Sequence, residues 1–132
     1  EPLAVLSRRD HPAISGALDA ASYLAMDHVL VTGRRRGGGY EDIALGQLGM
    51  SRRIRVRCQS HAAASAVVAR SDLLVTMPRS QAQLVSRDSG NQLLPFPVEI
   101  PPLETYLYWH ANADQETGSQ WFRQMVLSAL RP

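Results

Sequence analysis

Residues 53–79 read RIRVRCQSHAAASAVVARSDLLVTMPR, and this stretch decides the fold. Ile54, Val56 and Cys58 alternate with Arg53, Arg55 and Arg57, the period-two pattern of a half-buried strand with one arginine face. Ser60 stands where a helix N-cap belongs, and the alanine-rich run that follows to about Arg70 favours a helix. Leu73-Leu74-Val75-Thr76-Met77 is continuously apolar up to Pro78, which suits a buried strand and its stop.

The same alternation continues outward in both directions. Leu3-Ala4-Val5-Leu6 is a short apolar run ended by the turn signal Arg8-Arg9-Asp10-His11-Pro12. Ser15 to Met26 carries Leu18, Tyr23, Leu24 and Met26 at loosely helical spacing. Val29-Leu30-Val31-Thr32 is another buried-strand candidate, followed by a loop of Gly33, Arg34 to Arg36 and Gly37 to Gly39. Glu41 and Asp42 open a helix at the end their charge favours, and Gly49 closes it. Beyond Pro78 a helix runs from Arg79 to about Val85. Pro95, Pro97, Pro101 and Pro102 then mark an extended, stiff connection. Tyr106 to Trp109 reads as a strand. The last helix places Trp121, Phe122, Met125, Val126, Ala129 and Leu130 on one face, with Arg123 and Gln124 opposite. Strands alternating with helices predict an α/β fold with a largely parallel sheet. Ligands of such sheets bind beyond the carboxyl ends of strands, which singles out Thr32-Gly33, Gln59-Ser60-His61 and Thr76-Met77-Pro78.

Composition narrows the chemistry. The chain has 132 residues, enough for one core of ordinary size, and a formal net charge of +2. All 14 basic residues are arginine. Without lysine there is no P-loop cation, no Schiff-base amine and no protein-kinase strand lysine. The single cysteine, Cys58, excludes an internal disulfide framework and a multi-cysteine metal site. No apolar run approaches the roughly 20 residues of a membrane helix, and no secretory signal is present. The 12 acidic residues are spread among the arginines, unlike the basic stripe of a nucleic-acid-binding domain. The chain does not start with Met and Glu1-Pro2-Leu3 runs straight into a strand, so it is expected to be part of a longer protein.

Each candidate residue has a bland reading beside the functional one. Ser60 and His61 start a helix whose free N–H groups favour an anion, or Ser60 only caps the helix and His61 is a first-turn residue. Thr32 and Thr76 present hydroxyls to a cleft, or bond backbone at strand ends. Arg34 to Arg36 draw in an anionic ligand by charge, or form a solvated loop. Arg53, Arg55 and Arg57 read as the outer face of an edge strand, where charge deters unwanted pairing. Cys58 points inward as an inert thiol. His11, His28 and His110 are scattered and form no ligand set, so neither a metal nor another cofactor is expected. Ser60 and His61 lack an orienting acid and a nucleophile elbow, so no catalytic residues are assigned and the chain is not expected to be an enzyme. The aromatic stripe of the last helix reads as core.

The ordered series of pieces resembles the effector-binding (substrate-binding, regulatory) domain of LysR-type transcriptional regulators. Glu1-Pro2-Leu3-Ala4-Val5-Leu6 with Arg9-Asp10-His11-Pro12 is similar to that family's "EPLVLV…DHPL" segment. Tyr23-Leu24 before Asp27 to Thr32, and Leu48-Gly49-Met50 before Arg52-Arg53-Ile54, follow in the family's order. Ser71 to Arg79 resembles "DLIATLPR", the stretch from Leu94-Pro95-Phe96-Pro97 to Tyr108-Trp109-His110 resembles the return crossover and "WH" strand, and Trp121-Phe122-Arg123 matches the final helix.

The resemblance implies a two-lobed fold like type II periplasmic binding proteins, with a small-molecule effector between the lobes. The chain then lacks the N-terminal helix-turn-helix, the linker helix and roughly the first third of the effector domain. It divides into 1–14 (end strand of lobe I and crossover), 15–95 (lobe II) and 96–132 (return crossover, strand and C-terminal helix of lobe I). The whole second lobe is accompanied by closing pieces of the first, so a large apolar surface needs a partner chain, a swap or the missing residues. The implied effector contacts are Thr32, Gly33, Ser60, His61, Thr76, Met77 and Pro78. An anionic effector is the chemistry that Arg34 to Arg36 and the Ser60 helix start favour. A bacterial cytoplasmic homodimer or homotetramer is implied, with the Ala62 to Val68 helix a candidate interface, contact with DNA only through the missing helix-turn-helix, and no membrane. The alternative is a periplasmic-type solute-binding protein of the same fold.

Overall fold

A five-stranded mixed sheet with helices on both faces organises the computed structural model, which describes residues 1–130. In chain order the elements are β1 (Leu3–Ser7), α1 (Ala20–Ala25), β2 (Asp27–Val31), α2 (Tyr40–Gln47), β3 (Arg53–Cys58), α3 (His61–Val68), β4 (Leu74–Pro78), α4 (Arg79–Ser89), β5 (Gln92–Pro95) and α5 (Thr117–Leu130). The strand order is β3-β2-β4-β1-β5. β2 pairs in parallel with β3 and β4, whereas β1 runs antiparallel to both β4 and β5. The decisive stretch forms the strand, helix and strand expected of it, and β3 is an edge strand as its arginines suggest.

Alternation along each strand divides the core into two layers. Ala4, Leu6, Val29, Val75 and Met77 face α3 and α4, where Ala64, Val68 and Ala82 close over them. Val5, Leu74 and Leu94 face the other way, toward Tyr23, Leu45 and Ile14. The two small side chains Ala64 and Ala82 belong to neighbouring helices, which lets α3 and α4 sit close to the sheet. Each fully buried Leu or Val side chain contributes about 1.5–3 kcal/mol relative to leaving it in water. β1 and β4 are buried almost along their length, which explains their lack of polar alternation in sequence.

Three expectations are corrected. First, β1 does not stand apart from residues 15–95. Leu3 to Ser7 lies between β4 and β5 in the same sheet as residues 15–95, with Val5 opposite both Thr76 and Leu94. A fully buried strand needs ladder partners on both sides, and only β4 and β5 supply them. Second, Tyr106 to Trp109 forms no strand, because no neighbouring strand among the described residues offers it a ladder. Third, the stripe on α5 is not core here: Trp121 is 64% exposed, Phe122 62% and Leu130 70%. Nothing in the sheet layers packs over it. Helix α4 also extends to Ser89, past the expected end near Val85, and stops at Gly90 with φ +66°. The last two residues of the expected 96–132 unit, 131 and 132, lie outside the described residues.

α5 is instead held by its own start. Glu116 accepts hydrogen bonds from the N–H groups of Gly118 and Ser119. Arg123 donates to the carbonyls of Ala113 and Asp114 and stacks over the Trp109 ring, 4.6 Å from its centroid.

Candidate functional site

One edge of the sheet gathers the three predicted positions. β2, β3 and β4 are parallel, so their carboxyl ends emerge together. Val31 stands opposite Cys58, and the Thr32 N–H donates to the Cys58 carbonyl (2.7 Å), so Thr32-Gly33 and Ser60-His61 follow adjacent strand ends. β4 ends at Pro78, opposite Leu3 at the start of β1. β5 ends at the same edge, with Pro95 opposite Ala4.

The side chains at this edge do different things. Ser60 Oγ accepts from the Ala63 N–H (3.4 Å) and so caps α3, leaving the His61 side chain half-buried in the first turn. Thr32 Oγ1 accepts from the Arg34 N–H (3.1 Å), a local turn that shapes the loop of residues 33–39. Gly33 is exposed. Cys58 Sγ approaches the Ser60 carbonyl (3.5 Å) and the thiol packs half-buried against the α3/α4 layer. Pro78 starts α4 without a side-chain cap; Glu1 supplies one, its carboxylate accepting from the Ser80 N–H (2.9 Å).

Thr76 and Met77 depart from the sequence expectation. Thr76 does not present its hydroxyl to a cleft. Strand alternation turns it into the buried layer, where Tyr23 Oη lies 2.8 Å away and Arg52 Nη1 donates to it at 3.1 Å. Met77 is buried on the opposite face against Ala4 and Leu6.

That buried layer holds the residues which sequence reasoning missed. The Arg52 side chain is fully buried. It donates through Nε to Asp42 (2.7 Å), through Nη2 to Glu41 and through Nη1 to Tyr23 Oη (2.8 Å). Asp42 also accepts from the Gly39 N–H (2.6 Å), which ties the loop to the network. Burial alone pushes Asp42 up, but the Arg52 hydrogen bond and charge outweigh it and hold the carboxyl below its ordinary value. Burial pushes the Tyr23 phenol up to about 12. His28 Nε2 lies 2.8 Å from the Tyr23 carbonyl and its Nδ1 has no partner among the described residues, which fits a neutral ring protonated on Nε2. Burial first, and the nearby Arg52 charge second, push His28 down to about 4. The side-chain partners among Arg52, Asp42, Glu41, Tyr23 and Thr76 are 10 to 53 positions apart, so no local motif announces them. Only Glu41 and Asp42, as acids at a helix start, gave a signal.

Two chain segments cross beside the edge. The Leu103 N–H donates to the Glu1 carbonyl and the Glu1 amino group to the Leu103 carbonyl, each at 3.0 Å. Tyr40 Oη donates to the Pro101 carbonyl (2.8 Å), joining the start of α2 to this crossing. A groove of about 540 Å³ lies between Pro78, Ser80, Leu103 and Tyr106 on one side and Val126 and Leu130 of α5 on the other. Among the described residues no group of three or more His, Cys, Asp or Glu is arranged to hold a metal ion.

Comparison with known proteins agrees with this architecture. The family model described as "LysR substrate binding domain" matches residues 1–131. The chain is 31% identical over 121 residues to the HTH-type transcriptional activator NahR of Pseudomonas putida, covering 92% of this chain and 40% of that protein. It is 28% identical over 120 residues to the HTH-type transcriptional activator NagR of Ralstonia sp, covering 91% and 40%. The chain thus spans about 40% of the length of either relative. The crystal structure of the regulatory domain of MexT, a transcriptional activator in Pseudomonas aeruginosa, superposes with a TM-score of 0.73 at 24% identity, over 95% of this chain and 60% of that one. That likeness is one of fold.

Proposed function

The chain belongs to the family of LysR substrate binding domains, and on that premise we propose that it is the effector-binding part of a transcription regulator. The observation that carries the reading is the convergence of three parallel strand ends, with Thr32-Gly33, Ser60-His61 and Pro78, on one sheet edge beside two crossing segments. In an open α/β sheet that edge is where a ligand meets backbone N–H groups and helix starts. In this reading Thr32, Gly33, Ser60, His61 and Pro78 contact the effector from this lobe. Thr76 and Met77 act one layer back, fixing the edge through Arg52 and the core. Residues 1–98 make one lobe, and the apolar face of α5 belongs to the other.

An effector bridging the lobes favours the closed arrangement by its differential affinity, and the shift passes through an oligomer to a DNA-binding segment elsewhere in the protein. The role is binding without catalysis, in the cytoplasm. The relatives support this by being transcriptional activators.

The test is a thermal-shift screen of the full-length regulator against small organic anions and neutral metabolites. A bound effector raises the melting temperature in proportion to RT ln(1 + [L]/Kd). Ser60→Ala and His61→Ala should shrink that rise without lowering the unliganded melting temperature by more than the loss of a helix cap, about 1 kcal/mol. An unchanged ligand-dependent rise in both variants overturns the assignment of this edge.

A further inference from the structure

Six arginines that the sequence splits into two groups come together around the outer edge of β3. Arg34, Arg35 and Arg36 lie in the exposed loop of residues 33–39, and Arg53, Arg55 and Arg57 alternate along β3; all six are exposed. Arg57 Nη1 donates to the Gly37 carbonyl (2.7 Å) and Arg34 Nη2 to the Gly38 carbonyl (3.1 Å), which folds the loop against the end of the strand. One carboxylate serves the group: Asp27 accepts from Arg53 Nε (2.7 Å) and Arg55 Nε (3.0 Å). The nearby acids Glu41 and Asp42 are committed to the buried Arg52. Six positive charges therefore face one negative charge, while the other eight arginines of the chain share it with eleven acids. The modest net charge of +2 conceals a strongly segregated surface.

The patch has a composition that fits phosphate better than protein. None of the large apolar side chains exposed among the described residues lies in 33–39 or 53–57, whereas protein interfaces are anchored by buried aromatic and aliphatic groups. β3 shifts register against β2 between His28 and Val29, and such a bulge with flanking charges discourages an added peptide strand. Guanidinium forks match phosphate oxygens in pairs and need no apolar anchor. From Arg53 to Arg57 the strand advances about 13 Å, a distance over which duplex DNA presents roughly eight phosphate charges.

We propose that the β3 edge and the loop of residues 33–39 form a sequence-independent contact surface for the phosphate backbone of duplex nucleic acid. This surface borders the effector edge at Gly33, and none of its six arginines is among the residues assigned to the effector. It adds to the expectation that DNA is held only by a segment outside this chain.

The test is fluorescence anisotropy of the chain with an arbitrary duplex of about 20 base pairs, repeated across salt concentrations. The triple variant R35S/R36S/R55S is set against a charge-matched control, R70S/R79S/R87S, whose three arginines are exposed and lie outside the patch. Circular dichroism confirms that both fold. The patch variant should bind at least about tenfold more weakly than the control at low salt, with a log–log salt slope shallower by about 2 to 3. Equal loss in both triples shows that net charge alone binds the duplex and overturns the proposal. So does the absence of duplex binding by the unaltered chain at low salt. An oligoglutamate of equal charge that competes as well as the duplex also overturns it, in favour of an acidic protein partner.

Discussion

His28 shows how a residue can set a property of the fold without touching a ligand. Its ring is buried against Tyr23, edge to face at 4.5 Å between centroids, and stays neutral in the fold down to about pH 4. The unfolded chain protonates the same ring near 6.5. Between those values the unfolded state binds a proton that the folded state does not, so stability rises with pH through this window and is lost as the pH falls from about 6.5 toward 4. At pH 5 this amounts to about 2 kcal/mol. His28→Gln keeps a donor for the Tyr23 carbonyl and removes the titration. Urea midpoints at pH 7 and pH 5 should therefore differ less in the variant than in the unaltered chain. Equal differences would show that other groups dominate the acid sensitivity. Arg52 illustrates the opposite case. Its charge is buried but fully engaged, so its value lies in fixing how Tyr23, Thr76, Glu41 and Asp42 stand to one another.

At the scale of elements, caps and close approaches decide where helices begin and end. Asp19 caps α1 and Ser60 caps α3 through their own side chains, whereas α4 borrows Glu1 from the far end of the chain. Two glycines make opposite predictions. Gly90 ends α4 in the left-handed region, where an L side chain is strained, so Gly90→Ala should lower stability by about 1–2 kcal/mol. Gly46 lies inside α2 with open space where a Cβ would stand, so Gly46→Ala should raise stability by about 0.5–1 kcal/mol. Denaturant midpoints of the two variants should move in opposite directions; a loss at Gly46 would contradict the helical reading of α2.

At the scale of the whole molecule, a five-stranded sheet with two buried layers stands beside an exposed apolar helix. Residues 1–98 contain the five strands and both buried layers, whereas Tyr106, Tyr108, Trp109 and the α5 stripe are exposed. Ending the chain after residue 105 should therefore shift the melting temperature of the sheet unit by less than about 2 °C, and should reduce any self-association caused by the exposed apolar face. A large loss of thermal stability would show that α5 supports the sheet.

The local sequence determined most of the elements and their order, though not β5, whose four residues carry no strand pattern of their own. Residues 53–79 spelled strand, helix and strand, the acids at 41 and 42 and Ser60 marked helix starts, and the arginine alternation marked an edge strand. Those features are short-range, so propensity, capping and periodicity carry them. The sequence also placed the candidate edge, because strand ends before helices are visible in order. Tertiary structure decided what adjacency in sequence cannot express. It put β1 between β4 and β5, since a strand's partners are chosen by burial across the sheet. It turned Thr76 away from the edge and into the Arg52 network, since hydrogen-bond partners 10 to 53 positions apart leave no local pattern. It drew Arg34–Arg36 and the β3 arginines into one surface, and it left Tyr106 to Trp109 without a ladder, because a strand exists only where another backbone is present to pair with it.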